Sequence, residues 1–368
     1  MESSRPLTVF FAYRDSAERR AALAQPVGSA ERYRLFGLDE LVARGAQVRH
    51  NLERERQPPF WARAFGGGVS RALYRLGGYG GDFASALASL RTANSADVIL
   101  STVDTIGIPL ILLKRFGLVR TPIVYSAIGL PERLVQLRGR PMQRLYARAL
   151  RGTRAIVSYA ESEAEWLRDW LGADGPPVLF VPFGVDLAAF RPADGREPDV
   201  DVISVGADPR RDFPLLLTVA SHRPELSFRI VASADHVRSL GRVPPNVAVE
   251  TDIPLAQVRD RLAQARVVAL PVRGNSYSGA TTTLLQAMAM GKAVVVSRTD
   301  AIARGYELED GYNCRLVEPG DAGAFERALL ETLTGARADS LGTRARETVE
   351  RSLSWERYAA ALFEVLSP

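Results

Sequence analysis

Short apolar runs alternate with helical periods along the whole chain. Runs such as Leu7–Tyr13, Asp97–Thr102 and Ala293–Ser297 have the unbroken hydrophobic character of strands that are covered on both faces. Between them, apolar residues recur every three or four positions, as they do over Leu284–Met290, which indicates helices. Strands that alternate with helices favour parallel sheets. The pattern therefore predicts an α/β protein with one such sheet in each half.

A polar stretch rich in proline and glycine, Phe183–Pro198, separates the two halves and predicts a linker. We place a first domain at residues 1–188, a second at residues 189–350 and a closing helical tail at residues 351–368. Open parallel sheets bind ligands beyond the carboxyl ends of their strands. If the two domains face each other, a ligand would lie in the cleft between them.

Composition excludes several classes of protein. The 368 residues contain one cysteine and three scattered histidines, so we expect neither a disulfide nor a histidine-rich metal site. The apolar runs are too short to span a bilayer, and the opening residues predict a first strand instead of a signal peptide. We therefore expect a cytoplasmic protein, at most peripheral on the inner face of the cell membrane.

Positive charge is concentrated in the first half of the chain. Residues 1–190 contain 25 lysines and arginines against 18 acids, whereas the rest of the chain contains 22 against 24. The stretch Glu132–Arg151 carries six arginines between leucines and predicts one basic helix. An anionic membrane surface would fit the part Arg133–Arg151. A solvated, arginine-rich helix explains the same pattern, and no motif indicates nucleic-acid binding.

Two loops of the second half could bind an anion. Gly279–Thr283 has small or hydroxyl-bearing residues where a helix must begin, and free amides at a helix start attract negative charge. The loop Gly206–Asp212 carries Arg210 and Arg211, whose guanidinium groups could clamp a diphosphate. A solvated loop in which these arginines pair with neighbouring aspartates is the alternative. Because both loops belong to one domain, we favour a nucleotide diphosphate bound between them.

Five segments of the chain carry a family resemblance. These segments are Val181–Asp186 (VPFGVD), Val205–Arg211 (VGADPRR), Leu284–Val295 (LLQAMAMGKAVV), Asp310–Asn313 (DGYN) and Ser354–Trp355 (SW). Through them the second half resembles the retaining family 4 (group 1) glycosyltransferases of the GT-B fold.

The resemblance implies two Rossmann-like domains across a cleft, with the terminal helix packing back on the first domain. It implies that a UDP- or GDP-sugar donates its sugar to an acceptor hydroxyl with retention of configuration. No obligatory metal or cofactor is implied, because the leaving diphosphate itself helps to deprotonate the acceptor.

The resemblance also assigns site residues. Arg211 takes the place of the lysine that contacts the diphosphate, and Ser278 takes a catalytic position. Two family glutamates fall on Ser278 and Gln286, so this chain departs from the usual charge arrangement. The donor side comprises Gly206, Arg210, Arg211, Asp252, Ile253, Tyr277, Ser278, Gly279, Ala280, Thr281, Thr282 and Gln286. The acceptor side comprises Gly28, Ser29, Asp104 and Ser126.

The acceptor and the activity itself remain open at this point. A lipid-linked saccharide or glycolipid of cell-surface polysaccharide synthesis and a small soluble metabolite are both compatible acceptors. A nucleotide-sugar epimerase or a phosphorylase of the same fold is a further enzymatic alternative. The two altered glutamate positions also allow a non-catalytic protein that only binds a nucleotide sugar.

Overall fold

The computed structural model describes residues 5–53, 57–193, 197–275, 277 and 279–368. The chain forms two compact units, one of Met1–Val181 with Ala359–Pro368 and one of Pro182–Tyr358. The sequence led us to place the first boundary after residue 188 and the start of the tail at residue 351. The first unit ends earlier because Val185 joins the second unit: its N–H donates to the Leu353 carbonyl (3.0 Å) and its carbonyl accepts from the Trp355 N–H (2.9 Å).

The first unit contains a six-stranded parallel sheet in the order β2-β1-β3-β4-β5-β6. Most of its strand residues are buried, as their apolar runs predict. The strands are β1 (Thr8–Ala12), β2 (Gln47–His50), β3 (Val98–Ser101), β4 (Ile123–Ala127), β5 (Ala155–Ser158) and β6 (Val178–Phe180).

Nine α-helices before residue 181 connect and cover these strands. They are α1 (Ala17–Ala24), α2 (Leu38–Ala43), α3 (Phe60–Arg75), α4 (Phe83–Ala88), α5 (Leu90–Ala93), α6 (Asp104–Arg115), α7 (Leu130–Val135), α8 (Gly139–Arg151) and α9 (Glu161–Leu171), counted over the described residues. Short 3-10 segments occupy Ala30–Leu35 and Asn51–Glu53. Helices α3, α4, α6, α8 and α9 share one hydrophobic core through Ala62, Phe83, Ile106, Tyr146 and Leu167.

The single basic helix that we expected over Glu132–Arg151 is wrong. Helix α7 ends at Val135 and α8 begins only at Gly139. Gly139 has a φ of 76°, which is left-handed backbone that interrupts a right-handed helix. The arginines of this stretch are therefore divided between two separate helices.

The second unit contains another six-stranded parallel sheet, in the order β12-β11-β10-β7-β8-β9. Its strands are β7 (Val200–Gly206), β8 (Phe228–Ala232), β9 (Val247–Thr251), β10 (Ala265–Leu270), β11 (Ala293–Ser297) and β12 (Arg315–Val317). The chain builds the sheet outward from β7 in one direction and then from β10 in the other. The strand order therefore reverses between β7 and β10, and ligands of such sheets bind beside that reversal.

The helices of the remaining chain lie between these strands and after the last of them. They are α10 (Phe213–His222), α11 (Ala234–Ser239), α12 (Leu255–Ala263), α13 (Thr281–Ala289), α14 (Asp300–Ala303), α15 (Ala322–Thr332), α16 (Gly335–Ser352) and α17 (Trp355–Leu366). Among the described residues, no helix is both long and apolar enough to cross a membrane.

Candidate functional site

The loops that follow β7 and β10 are held together at the strand-order reversal. Arg211 forms an antiparallel bridge with Val272. The Arg273 N–H donates to the Arg210 carbonyl (2.8 Å), and the Asp212 N–H donates to the Pro271 carbonyl (2.9 Å). Because β7 and β10 are parallel neighbours, their carboxyl ends lie at the same edge of the sheet. The two loops that we linked from the sequence therefore form one site.

Arg211 places a buried cation at the centre of this site. The residue is only 3% exposed, and its side chain crosses the end of β7 so closely that a Cβ on Gly206 would lie 2.1 Å from Nε. Its Nε and Nη1 have no hydrogen-bond partner within the part of the chain that the structure describes. Burial lowers the pKa of Arg211 to about 10, while nearby Asp208 opposes the shift. The guanidinium is therefore still charged at neutral pH.

A buried cation with unused N–H groups is costly unless an anion accompanies it. Burying an unpaired charge or polar group costs free energy, and the cost is offset only by a hydrogen-bonded partner of opposite charge. The arrangement of Arg211 therefore indicates an anionic ligand that the guanidinium would bind.

The N-terminus of α13 lies against Asp208, which belongs to the same loop as Arg211, and it has no side-chain cap among the described residues. Ala280 occupies the N-cap position and makes no side-chain cap hydrogen bond, and Thr281 Oγ1 is buried without a partner among the described residues. The other helix of the site is different, because Asp212 caps α10 by accepting from the Leu215 N–H at 3.4 Å. The free amides and the helix dipole at α13 thus provide a second feature that attracts an anion.

Asp208 lies against the start of α13. Its carboxylate accepts the Tyr277 hydroxyl at 3.0 Å from each oxygen and the Arg210 N–H at 2.8 Å. A Cβ on Gly279 would lie 2.9 Å from the same carboxylate. A negative group therefore already occupies the approach to the helix. Asp212, the other aspartate of this loop, pairs with Arg273 at 3.7 Å.

The structure brings together part of the expected donor side. Gly206, Arg210, Arg211, Tyr277, Gly279, Ala280 and Thr281 belong to the two joined loops and the start of α13. Thr282 and buried Gln286 lie four residues apart on α13 and therefore share one face of that helix. Ser278 lies outside the described residues.

Asp252 and Ile253 stand apart from this group. They follow β9, at the edge of the sheet. Asp252 has a φ of 50° and accepts the Ala234 N–H at 3.3 Å, which holds the loop after β8. Among the described residues, no hydrogen bond connects Asp252 or Ile253 to the joined loops.

The four expected acceptor-side residues belong to three separate segments of the first unit. Gly28 is exposed with a φ of 89°, and neighbouring Ser29 caps the following 3-10 segment without a side-chain bond. Ser126 is buried at the end of β4, where its hydroxyl accepts from the Tyr159 hydroxyl at 3.3 Å. No hydrogen bond within the described part joins Gly28 or Ser29 to Asp104 or Ser126.

Asp104 belongs to a polar cluster that sequence reasoning missed. Its carboxylate accepts the Tyr125 hydroxyl (2.8 Å) and the Arg133 Nε–H (2.9 Å), and the Arg133 guanidinium lies 4.5 Å from the centre of the Tyr79 ring. Burial raises the pKa of Asp104 to about 6, and Arg133 and Tyr125 limit the rise.

A second buried carboxyl, Glu163, lies near Asp104 and was also missed. It accepts the Leu130 N–H (2.9 Å) and the Ser158 hydroxyl (2.9 Å). Burial raises its pKa to about 8, and the nearby Asp104 charge adds to the shift. Glu163 lies in the first turn of α9, where acids are common because they favour the helix dipole, so the sequence gives no sign that this side chain turns inward.

Two arginines of the expected basic surface also make contacts within the unit. Arg133 binds Asp104 inside the unit, and Arg151 donates to the Leu171 carbonyl. The other arginines of this stretch are exposed, namely Arg138, Arg140, Arg144 and Arg148. Among the described residues, no group of three or more His, Cys, Asp or Glu side chains could hold a metal ion.

Part of the second unit matches a known protein family. Residues 198–335 match the family described as Glycosyl transferases group 1. The match assigns residues 198–335, which lie within the second unit, to this family. The matched region contains both loops of the site and the whole of α13, so the site described above lies within the family domain.

Curated relatives are similar to this chain over part of their length. It is 28% identical over 248 residues to a D-inositol 3-phosphate glycosyltransferase of Kineococcus radiotolerans, which covers 57% of this chain and 56% of the relative. It is 28% identical over 238 residues to a phosphatidyl-myo-inositol mannosyltransferase of Mycolicibacterium smegmatis, with the same coverage. The chain thus matches little more than half the length of these relatives.

Solved structures confirm the expected GT-B fold. Sucrose-phosphate synthase from Thermosynechococcus elongatus has a TM-score of 0.71 at 16% identity and covers 97% of this chain and 98% of its own. Anabaena HepE in complex with UDP-glucose has a TM-score of 0.68 at 14% identity and covers 98% of this chain and 99% of its own. Both likenesses extend over the two parallel-sheet units.

Proposed function

We propose that this protein is a glycosyltransferase that moves a sugar from a UDP- or GDP-sugar to an acceptor hydroxyl with retention of configuration and without an obligatory metal. One observation carries the proposal: the buried Arg211 guanidinium has N–H groups without a partner among the described residues, and its loop lies against the N-terminus of α13, which has no side-chain cap there. A diphosphate is the anion that suits both features, because a guanidinium and free helix amides each bind phosphate oxygens.

The same groups would act in the chemical step. The bond between the sugar C1 and the diphosphate oxygen breaks, and its electron pair stays on that oxygen. Arg211 and the amides of α13 would stabilise the negative charge that develops there. The acceptor oxygen then bonds to C1 on the face that the diphosphate leaves, and the acceptor proton passes to the leaving diphosphate.

The comparisons support the donor class and leave the acceptor to be found. HepE was solved with UDP-glucose, and the two curated relatives are named for transfer to inositol-based acceptors, one of them a phospholipid. We propose a lipid-linked saccharide or glycolipid acceptor for this protein, with a soluble metabolite as the alternative. Asp104 and Ser126, at the carboxyl end of the first sheet, remain our proposal for the acceptor side.

A second candidate function follows from the altered glutamate positions. Ser278 and Gln286 stand where the resemblance leads us to expect carboxylates. A protein that binds a nucleotide sugar without turning it over would be compatible with that change.

A panel of UDP- and GDP-sugars separates the two functions. Thermal shift identifies the sugar nucleotides that bind, and proton NMR then follows release of the diphosphate and the anomeric configuration of the product, with and without EDTA. The proposed transferase forms a product of retained configuration in both cases. Tight binding with no turnover for any acceptor tested would instead establish the binding protein.

Replacing Asp208 with asparagine should tighten the binding of free UDP or GDP several-fold. The carboxylate lies against Gly279, where it repels a second anion, whereas an amide keeps a hydrogen-bonding side chain without the charge. Isothermal titration calorimetry measures the change. Asp235→Asn, which alters an exposed carboxylate that pairs with Arg238, is the control. Weaker binding of free nucleotide by Asp208→Asn would show that the carboxylate does not oppose the diphosphate.

A further inference from the structure

Helix α3 is fixed in one orientation on the first unit. A Cβ on Gly66 would lie 2.7 Å from the backbone nitrogen of Ala84, so α3 meets the start of α4 at backbone contact distance. Further along, Gly80 packs against Ser70 just as closely. Ala62 is fully buried in the core on the same side. Because these contacts leave no room to rotate the helix, its opposite face must point outward.

That outward face is strongly apolar. Phe60 is 78% exposed, Trp61 58%, Phe65 60% and Leu76, which directly follows the helix, 64%. Trp61, Phe65 and Leu76 are separated by four and eleven residues, which places them along one side of a helix. Single exposed apolar residues are ordinary, but a row of large ones marks a surface that something covers.

The charged residues of this segment have one sign. Residues 57–81 contain Arg63, Arg71 and Arg75 and no aspartate or glutamate. All three arginines are exposed, and none forms an ion pair with another described residue. Helices that lie in the interface of an anionic membrane have this composition: they carry aromatic residues and arginines and few acids.

The exposed arginines of α8 continue the charged part of the surface. The Arg138 N–H donates to the Gly77 carbonyl (2.8 Å), so α8 begins where the α3 segment ends. Helix α8 carries Arg140, Arg144 and Arg148 on its exposed side and contains no acid. Anionic headgroups could therefore contact both helices at once.

We propose that α3 binds the interfacial region of an anionic lipid bilayer. Phe60, Trp61 and Phe65 would enter the boundary between headgroups and acyl chains, while Arg63, Arg71 and Arg75 contact lipid phosphates. This surface differs from the basic stretch that we singled out from the sequence, since its apolar part lies on another helix. It is also independent of the donor site, and either can fail without the other.

Vesicle flotation of the full chain tests this surface. We expect binding to phosphatidylcholine vesicles that contain phosphatidylglycerol and weak binding to phosphatidylcholine alone. The variant Phe60→Ser/Trp61→Ser/Phe65→Ser should reduce the bound fraction at least about tenfold. Val27→Ser, which alters a single exposed apolar residue outside α3, should leave it unchanged. Because all three altered side chains are exposed, the melting temperature should not fall.

Two further measurements test membrane binding by α3 even if the triple variant folds poorly. Arg71→Glu/Arg75→Glu should also abolish binding to the anionic vesicles. The tryptophan emission of the wild type should shift to shorter wavelength on these vesicles, and Trp61→Phe should remove that shift. Three results would overturn the proposal: no binding to anionic vesicles at low salt, binding that none of these variants changes, or a dimer in analytical ultracentrifugation that the triple variant dissociates.

Discussion

Replacing Arg211 with methionine should stabilise the free protein and at the same time abolish donor binding. The guanidinium is a buried cation whose Nε and Nη1 lack partners among the described residues. A methionine of similar length removes that unpaired charge, and replacing buried charge by an apolar side chain is often stabilising. We expect a rise in melting temperature of about 2–4 °C for each kcal/mol gained.

The same substitution should raise the Kd for UDP or GDP at least about thirtyfold. Loss of one partner from a buried, hydrogen-bonded charge pair costs about 2–5 kcal/mol, which corresponds to this factor or more. Differential scanning fluorimetry and calorimetry measure the two effects on one sample. Arg211→Lys, which keeps the charge but not the planar donor geometry, should fall between wild type and Arg211→Met.

Arg266→Met is the matched control for Arg211→Met. Arg266 belongs to the same unit but pairs with Asp201 (2.9 Å) at the surface, so its loss should leave nucleotide affinity unchanged. A higher melting temperature together with weaker nucleotide binding in Arg211→Met would distinguish a ligand-binding arginine from a structural one. A lowered melting temperature with unchanged affinity in Arg211→Met would show that Arg211 only supports the fold.

Gly206→Ala should weaken nucleotide binding at least about tenfold, because a Cβ at this position would lie 2.1 Å from Arg211 Nε. Contacts this short force the guanidinium out of its place, and an anion site depends on the position of its donors. Gly274→Ala is the matched control, since that glycine lies in the partner loop and a Cβ there would have no neighbouring atom within 4 Å. Calorimetry with UDP and GDP measures both variants.

A double substitution tests whether Gly206→Ala acts through Arg211. In an Arg211→Ala background there is no guanidinium for the new methyl group to displace. Gly206→Ala should therefore add little further loss of affinity there, and this non-additivity identifies the contact between the two residues. Fully additive losses would mean that Gly206 acts on the ligand by some other route.

The alternation of apolar runs predicted two parallel-sheet halves, and this prediction is confirmed. The site loops could be linked from the sequence because each follows a strand and precedes a helix, so their positions follow from the topology of a parallel sheet. Which of the two helix starts is open could not be predicted. Asp212 caps α10 whereas α13 has no side-chain cap, and both begin with plausible anion-binding residues.

Contacts between elements that are distant in the sequence explain the features that the sequence did not predict. Arg133 belongs to a run of arginines, yet it binds Asp104, which lies on a helix 29 positions earlier. Such pairing depends on how α6 and α7 pack, which no local periodicity reports. The early end of the first unit has a similar origin, because Val185 pairs its backbone with residues near position 354.

The crystal structure of the protein with UDP or GDP, whichever raises its melting temperature more, tests the central claim most directly. We predict diphosphate oxygens within about 2.7–3.2 Å of the Arg211 guanidinium and of the first amides of α13. We also predict that the Asp208 carboxylate moves away from Gly279. A diphosphate bound elsewhere, with Arg211 still lacking partners for Nε and Nη1, would contradict the account.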